Sequence, residues 1–320
     1  MKKLLIFIFL LLSSFTFAAE PLMFINPFRE TILHFPSAIL AKENLVVTIF
    51  LPEAAVPLTQ KYPTVYMLGV GPEQAEQIKK LQDSSAQKAL LVGVSLGENT
   101  SEDSAQIAAF IARELVPYIT ANYLTIDDPV FRALALAGPD KAPLAAELLK
   151  KKDLFARLIF SAPGEKPVSV AGANGQLRSL FIGKRKELLT WQETLEDMSY
   201  TYGTNFVTKI AEEAKIEEML DLDYLFAQVR AVRIRKLTGA LFPKAISLQE
   251  GDSYLSLKAV LNNGAVFDYI PLSVRMSPPY LAWNAVAGVL SPVSGAEAGQ
   301  VNLSVSVDNV KFATKIQLKK

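Results

Sequence analysis

The sequence predicts an α/β domain with a mostly parallel sheet covered by helices on both faces, followed by a small all-β sandwich. Two observations carry this. Between residue 44 and about residue 210, short β-branched runs alternate with segments whose apolar residues recur at helical spacing, as in strands joined through helices. From about residue 240 the helical spacing stops and every-second-residue alternation replaces it, as in half-buried strands.

Taken in order, Asn44 to Leu51 reads as the first strand, ended by Pro52, and Thr64 to Leu68 as the second, closed by Gly69-Val70-Gly71. A helix from about Pro72 to Leu81 leads to the buried-looking strand Ala89 to Val94. Thr100-Ser-Glu-Asp103 has the composition of a helix N-cap with an acidic first turn, and Ile107, Phe110, Ile111, Leu115, Tyr118 and Ile119 make one apolar stripe behind it. Phe131 to Ala137 is the next strand, Pro143 to Lys151 a helix, Leu158 to Ser161 and Leu177 to Ile182 two more strands. A helix over about 187 to 202 and a last strand at Asn205 to Lys209 complete the α/β part. In the β part, Leu255, Leu257 and Ala259 share one face, as do Val301, Leu303, Val305 and Val307, and Phe312, Thr314, Ile316 and Leu318. Turn signals stand at Asn262-Asn-Gly264, Ser277-Pro-Pro279 and Ser294-Gly295.

Met1-Lys2-Lys3, an apolar run from Leu4 to Leu12 and small residues up to Ala18-Ala19 have the three regions of a secretory signal peptide. The expected organisation is a leader at 1–19, an α/β domain at 20–238 and a β-sandwich at 239–320, exported to the periplasm or the exterior of a bacterium. The apolar run is too short for a comfortable membrane span, and no later stretch is long and uncharged enough for one, so an integral membrane protein is not expected. The chain has no cysteine, which excludes a lipid-accepting cysteine, disulfides, thiol catalysis and cysteine-ligated zinc. Its formal charge is +1 with acids and bases interspersed, which removes the electrostatic term that dominates nucleic-acid binding. The densest basic cluster, Arg230, Arg233, Arg235 and Lys236, reads as a solvated helix end beside the domain boundary.

Tyr62 to Leu68, Phe110-Ile-Ala-Arg-Glu-Leu-Val-Pro-Tyr-Ile119 with Asn122-Tyr123, Arg132-Ala-Leu-Ala135 and Asp153-Leu-Phe-Ala156 leading to Ser161-Ala-Pro163 together resemble the esterase family of esterase D, antigen 85 and enterochelin esterase. The likeness covers residues 37 to 230 and implies an α/β-hydrolase fold. In that family the strand before the nucleophile runs into Gly-His-Ser-Met-Gly-Gly, which aligns with Gly138-Pro-Asp-Lys-Ala-Pro143. The serine falls on Asp140. Residues Gln249 to Ala259, Gly288 to Val293 and Gly299 to Val307 resemble the bacterial Ig-like group 2 domain, whose members act as surface or spacer modules, often in adhesins and carbohydrate-acting proteins.

A hydrolase of this kind needs an imidazole base within hydrogen-bond reach of its nucleophile, supplied after it in the chain. The one histidine, His34, precedes Asp140 and reads as a packed or half-exposed residue ahead of the first strand. Haloalkane dehalogenases with this fold do use an aspartate nucleophile, but a histidine must then activate the releasing water. Where the family places its acid, after Phe181-Ile-Gly183, stand Lys184-Arg-Lys186 and Glu187; where it places its base stand Ile210 to Lys215. The family's Leu-His-Gly oxyanion segment reads Leu68-Gly69-Val70, leaving Gly69, Val70 and the Lys141 amide as residual oxyanion or pocket positions. Pro139 and Pro143 bracket the turn and predict a reshaped, relaxed elbow.

Gly93-Val-Ser-Leu-Gly97 also matches Gly-x-Ser-x-Gly, which nominates Ser95. Its helix begins too late and its strand lies one step before the elbow strand, so the segment reads as a strand end with a glycine turn and Ser95 stays the lesser alternative. A Ser-Lys arrangement has no spacing to single out its lysine. Asp127-Asp128, Asp221 with Asp223, and Glu212-Glu213 lack the spacing of a calcium loop, and no metal or cofactor motif is present. Tyr280 and Trp283 are the candidates for an exposed ligand contact, ahead of Trp191, Tyr200 and Tyr202, which fit a core equally well. The expected function is a secreted, catalytically degenerate esterase-family protein that binds or organises a carbohydrate, a cell-envelope component or a protein. The alternatives are a carboxylic-ester hydrolase with a rearranged site, or a scaffold presenting the Ig-like module.

Overall fold

The computed structural model describes residues 22–26, 30–52, 61–96, 103–168, 176–212, 220–226, 232–249 and 251–320. The expected leader, together with Gly97, Thr100, Glu213 and Arg230, lies outside the described residues.

The chain opens with an antiparallel hairpin, β1 (Leu22–Asn26) and β2 (Glu30–Ser37), which the sequence reading did not anticipate. Strand β2 pairs with β3 (Lys42–Phe50), so His34 lies within a strand and not ahead of the first one. From Thr31 burial alternates along it without a break, but Thr31 and Ser37 stand on the inward face and Ile32 on the outward one, so residue type does not follow the alternation that would have revealed it. Next come β4 (Thr64–Leu68), α1 (Ala75–Ser84) and β5 (Leu90–Ser95). Helix α2 (Ser104–Phe110) passes through a π-helical turn (Ile111–Leu115) into α3 (Val116–Asn122). The widened turn has a cause in the sequence. Pro117 carries no N–H for the carbonyl of Arg113, and in a regular helix its ring would clash with that carbonyl. Within the widened turn the Glu114 carboxylate accepts from the Ser37 hydroxyl (2.6 Å) and the Ala38 and Ile39 amides (3.2 Å each), which ties the helix to the β2–β3 turn.

The α/β part continues with β6 (Arg132–Ala137), α4 (Ala142–Leu149), β7 (Arg157–Ser161), β8 (Arg178–Gly183), α5 (Arg185–Asp197), β9 (Phe206–Ile210) and the short α6 (Leu222–Phe226). The strand order is β1-β2-β3-β5-β4-β6-β7-β8-β9, antiparallel up to the β3–β5 pair and parallel from β5 to β9. Strands β4 to β8 are buried along almost their whole length, which is why they read as continuous apolar runs without alternation. This mixed sheet with its connecting helices is an α/β-hydrolase-like fold.

The β part contains β10 (Ile234–Phe242), β11 (Ala245–Ser247), β12 (Ser253–Leu261), β13 (Val266–Tyr269), β14 (Arg275–Ser277), β15 (Leu281–Asn284), β16 (Val289–Pro292), β17 (Gly299–Val307) and β18 (Val310–Lys319). One layer, β13-β12-β16-β15 with β10 also on β12, is hydrogen-bonded to β9 through β13 and so extends the parallel sheet. The other layer is β11-β18-β17-β14. Leu237, Leu255, Leu257, Val301, Leu303, Val305 and Ile316 fill the space between them. Strand β10 begins at Ile234, so Arg235 and Lys236 are strand residues and not a helix end, and the expected boundary at 238/239 falls inside this strand. A bulge between Ile234 and Lys236 places both charged residues outward in succession, which hides the period of two.

Candidate active site

An enzyme with this sheet would do its chemistry at the C-terminal ends of β4 to β8. Strand β6 ends at Ala137, and the Gly138 amide donates to the Ser161 carbonyl (2.9 Å). Gly138 has φ +95°, a conformation open to glycine at no steric cost, and Pro139-Asp140-Lys141 then form one 3-10 turn before α4. Asp140 is not among the described non-glycine residues with positive φ, which are Ala41, Ala162, Ser199 and Asp308. A nucleophile elbow holds its nucleophile in a strained conformation; here the unusual dihedral has moved to a glycine two residues earlier. The Asp140 side chain is 67% exposed and its carboxylate meets Lys141 Nζ at 2.6 Å. Such an exposed pair is weak, because water solvates both charges well.

The space beneath the turn is occupied. Gly164, in the loop after β7, approaches Pro139 so closely that a Cβ on it would stand 2.7 Å from the proline Cβ. The buried Trp191 indole donates to the Gly164 carbonyl (3.0 Å) and packs on Phe160 and Phe181, with ring centroids 5.5 and 5.0 Å away. Lys186 pairs with Glu165 at 2.8 Å across the same loop. At the expected acid position, Glu187 turns one carboxylate oxygen inward against Gly183, where it is buried and has no hydrogen-bond partner. Four cavities of about 570, 300, 290 and 380 Å³ are formed by described residues, and none of them is lined by Asp140, Lys141, Ser95, Gly69 or Val70.

Two of the nominated oxyanion donors already have partners. The Gly69 amide donates to the Val94 carbonyl (2.9 Å) and the Lys141 amide to the Gly138 carbonyl (3.1 Å). Val70 turns its side chain into the core, and its carbonyl lies so close to Gly93 that a Cβ there would sit 2.7 Å from it. Oxyanion stabilisation requires amides aimed at an empty position, and these are aimed at other carbonyls. Ser95 is half-buried at the end of β5, in one row with Val46 and His34: Val46 pairs with both. Its Cα therefore stands two strand spacings from that of His34, about 10 Å, with Val46 between them.

The other nominated residues have structural partners. Asp127 pairs with Arg132 (2.6 Å), Asp128 caps the Val130 amide (2.8 Å), Asp221 caps the Tyr224 amide (2.8 Å), and Asp223 accepts from the Gln87 amide (2.6 Å). Burial pushes the Asp221 carboxyl above the usual carboxylate range. Trp191 and Tyr202 are core residues. Tyr280 and Trp283 are half-buried and not free surface aromatics: Trp283 donates to the Pro271 carbonyl (2.9 Å) and carries the Arg185 guanidinium 5.8 Å above its ring.

A dense polar arrangement lies elsewhere, at the joint between β9 and β13, and sequence reasoning missed it. Asp268, in register with Thr208, is 9% exposed. Its carboxylate accepts from the Ile210 amide (2.8 Å) and pairs with Lys258, while its carbonyl accepts from the Thr208 hydroxyl (2.7 Å) and the Tyr202 hydroxyl. Gln192 donates to the Ile270 carbonyl (2.9 Å) and Arg185 Nε to the Ala285 carbonyl (2.8 Å). Burial lowers the Arg185 pKa, with Asp268 opposing the shift, and raises that of Tyr202. The one signal in the sequence is a charge flanked by Phe267 and Tyr269 in an apolar strand.

No protein-family model and no curated protein matches this chain. Among solved structures, a ferulic acid esterase is similar at 15% identity with a TM-score of 0.45, over 62% of this chain and 92% of that one. An IroE-like serine hydrolase from Shewanella oneidensis has 19% identity and a TM-score of 0.44, over 62% and 77%. The S-formylglutathione hydrolase FrmB from Staphylococcus aureus has 11% identity and a TM-score of 0.43, over 61% and 91%.

Proposed function

We propose that the chain is an exported α/β-hydrolase-fold protein without hydrolase chemistry, which serves as a binding or structural module and carries an Ig-like β-sandwich that begins with β10. The observation that supports it most is the closed turn at Asp140. The position a nucleophile would take has ordinary backbone geometry and an exposed ion pair with Lys141, and the loop after β7 packs against its proline. Covalent catalysis on this frame needs a presented nucleophile, a base to activate it and amides facing the developing oxyanion. No histidine follows residue 34, and the Gly69 and Lys141 amides are engaged. Export rests on the charged, apolar and small-residue regions of 1–19, and the Ig-like assignment on the residues of β12, β16 and β17. Among the described residues no helix is long and apolar enough to cross a membrane.

The purified protein is expected to leave p-nitrophenyl acetate and acetylated xylan at the buffer rate. Turnover above that rate, abolished by Asp140→Ala or Ser95→Ala, would overturn the proposal and make the chain an ester hydrolase with a rearranged site.

A further inference from the structure

The cavity of about 570 Å³ lies far from the Asp140 turn in sequence and fold, on the outward face of the layer β11-β18-β17-β14. Its size is in the range of ligand sites, and its lining sets Arg275, Lys311 and Lys315 among hydroxyl, amide and apolar side chains. Period-two alternation fixes which side chains face it. Strand β17 turns Val301, Leu303 and Val305 inward, so Asn302 and Ser304 point out; β18 turns Ile316 and Leu318 inward, so Lys311, Ala313, Lys315 and Lys319 point out. Strand β14 adds Arg275 and Ser277, which pair with Ser304 and Asn302.

Register then sets the positions of the charges. Ser304 pairs with both Arg275 and Ala313, so Arg275 lies in the Ala313 row two strands away, and Lys311 and Lys315 stand two residues either side of Ala313. The three cations form a triangle with Cα separations of roughly 10 to 13 Å. Inside it lies Ser304, the small Ala313 stands midway between the two lysines, and Asn302 stands beside Lys315. The four strands of this layer contain no aspartate or glutamate. Arg275, Lys311 and Lys315 enter none of the ion pairs among the described residues, and Asp308, the acid nearest to the two lysines along the chain, sits in the β17–β18 turn outside the cavity lining. A chain with a net charge of +1 thus concentrates on one face positive charge that no described acid pairs, with Lys315 Nζ donating to Gln300 (3.1 Å).

We propose that this face binds an acidic polysaccharide, a chain of hydroxyl-rich sugars bearing carboxylates at intervals. Widely spaced cations separated by hydroxyl and amide groups match charges separated by hydroxyls. The lining has no aromatic platform for unstacked bases and no deep apolar pocket for peptide anchor side chains, which disfavours nucleic acid and protein partners. The proposal deepens the binding role given above and rests on it. The two fail separately, since ester turnover would sink the first and leave glycan binding measurable.

The test is binding of polygalacturonate to the purified protein, with neutral dextran, polyglutamate and duplex DNA as comparison polymers. Polygalacturonate is expected to bind, about tenfold more weakly on moving from low to physiological salt, with dextran unbound and the other two polyanions at least about tenfold weaker. Arg275→Ser with Lys311→Ser and Lys315→Ser is expected to cost at least about tenfold in affinity at an unchanged melting temperature. Lys61→Ser with Lys79→Ser and Lys80→Ser, which removes equal charge from exposed positions elsewhere, is expected to leave affinity unchanged. The proposal fails if polygalacturonate does not bind, if dextran binds equally, if polyglutamate or DNA binds as tightly, or if the two triple variants behave alike.

Discussion

Asp140, in the turn after β6, and Asp268, where β13 meets β9, are treated in opposite ways. Asp140 stands at the pole where chemistry would occur, two-thirds exposed, with one neighbouring lysine as its partner. Asp268 stands at the joint between the two parts of the chain, buried, with its carboxylate and its carbonyl both accepting hydrogen bonds. A buried charge is tolerated only when its hydrogen-bonding capacity is met, whereas an exposed one is satisfied by water wherever it falls. The difference teaches where geometry is constrained: strictly at the joint and loosely at the pole. Even Arg185, the first residue of α5 in the segment where a hydrolase would place its acid, reaches away from the pole to the carbonyl of Ala285 and the face of Trp283.

The largest effect should come from breaking the joint at its centre. Asp268→Ala leaves the Ile210 amide and Lys258 without their partner, and an expected loss of about 2–3 kcal/mol should appear as a lower urea midpoint. Asp268→Asn keeps an acceptor for the amide and should lose less. One unfolding transition in both variants would show that the joint couples the two parts; a split transition would show that they unfold separately. Arg185→Ala removes one hydrogen bond and the cover over Trp283, for an expected loss of about 1–2 kcal/mol together with a change in tryptophan fluorescence.

What the sequence disclosed follows the same division between local and distant causes. Strand β4 has the bounds 64 to 68 that its β-branched run predicts, and the inward faces of β12, β17 and β18 are those given by alternation, because both signals are local. Strand β2 was obscured because polar Thr31 and Ser37 face inward and Ile32 outward, and β10 by a bulge that breaks the period. Engagement of the Gly69 and Lys141 amides could not be read, since a backbone donor's choice of acceptor leaves no mark on residue type. The joint was invisible for a stronger reason: β13 meets β9 through the single pair Asp268 and Thr208, sixty residues apart. Trp283 follows two prolines and so looks exposed, but a residue about a hundred positions earlier covers it.

A smaller test of the joint uses pH. Glu196, on α5 beside Gln192, is pushed above its ordinary value of 4.5, first by burial and then by Asp197, Asp308 and Glu193, while the Gln192 hydrogen bond opposes the shift. A carboxyl that binds its proton more tightly folded than unfolded favours the fold at low pH, and that contribution is lost as pH rises from 4.5 through the raised folded value. Glu196→Gln keeps an acceptor for Gln192 and removes the titration. The variant should therefore match the parent in acid and exceed it in stability near neutral pH. Equal stability at both ends would mean that this charge is solvated like an exposed one.

The smallest effect should be at the pole, and its smallness is the informative outcome. Asp140→Ala and Lys141→Ala each break the exposed pair but leave the turn's backbone bond from the Lys141 amide to the Gly138 carbonyl in place. Each should shift stability by under about 0.5 kcal/mol, since water replaces what either partner loses. A loss several times larger would mean that the pair holds the turn against Gly164, so that the pole is as constrained as the joint. A gain in stability would point the other way, to an aspartate kept at a cost to the fold, as active-site residues often are, and would reopen the case for chemistry at this turn.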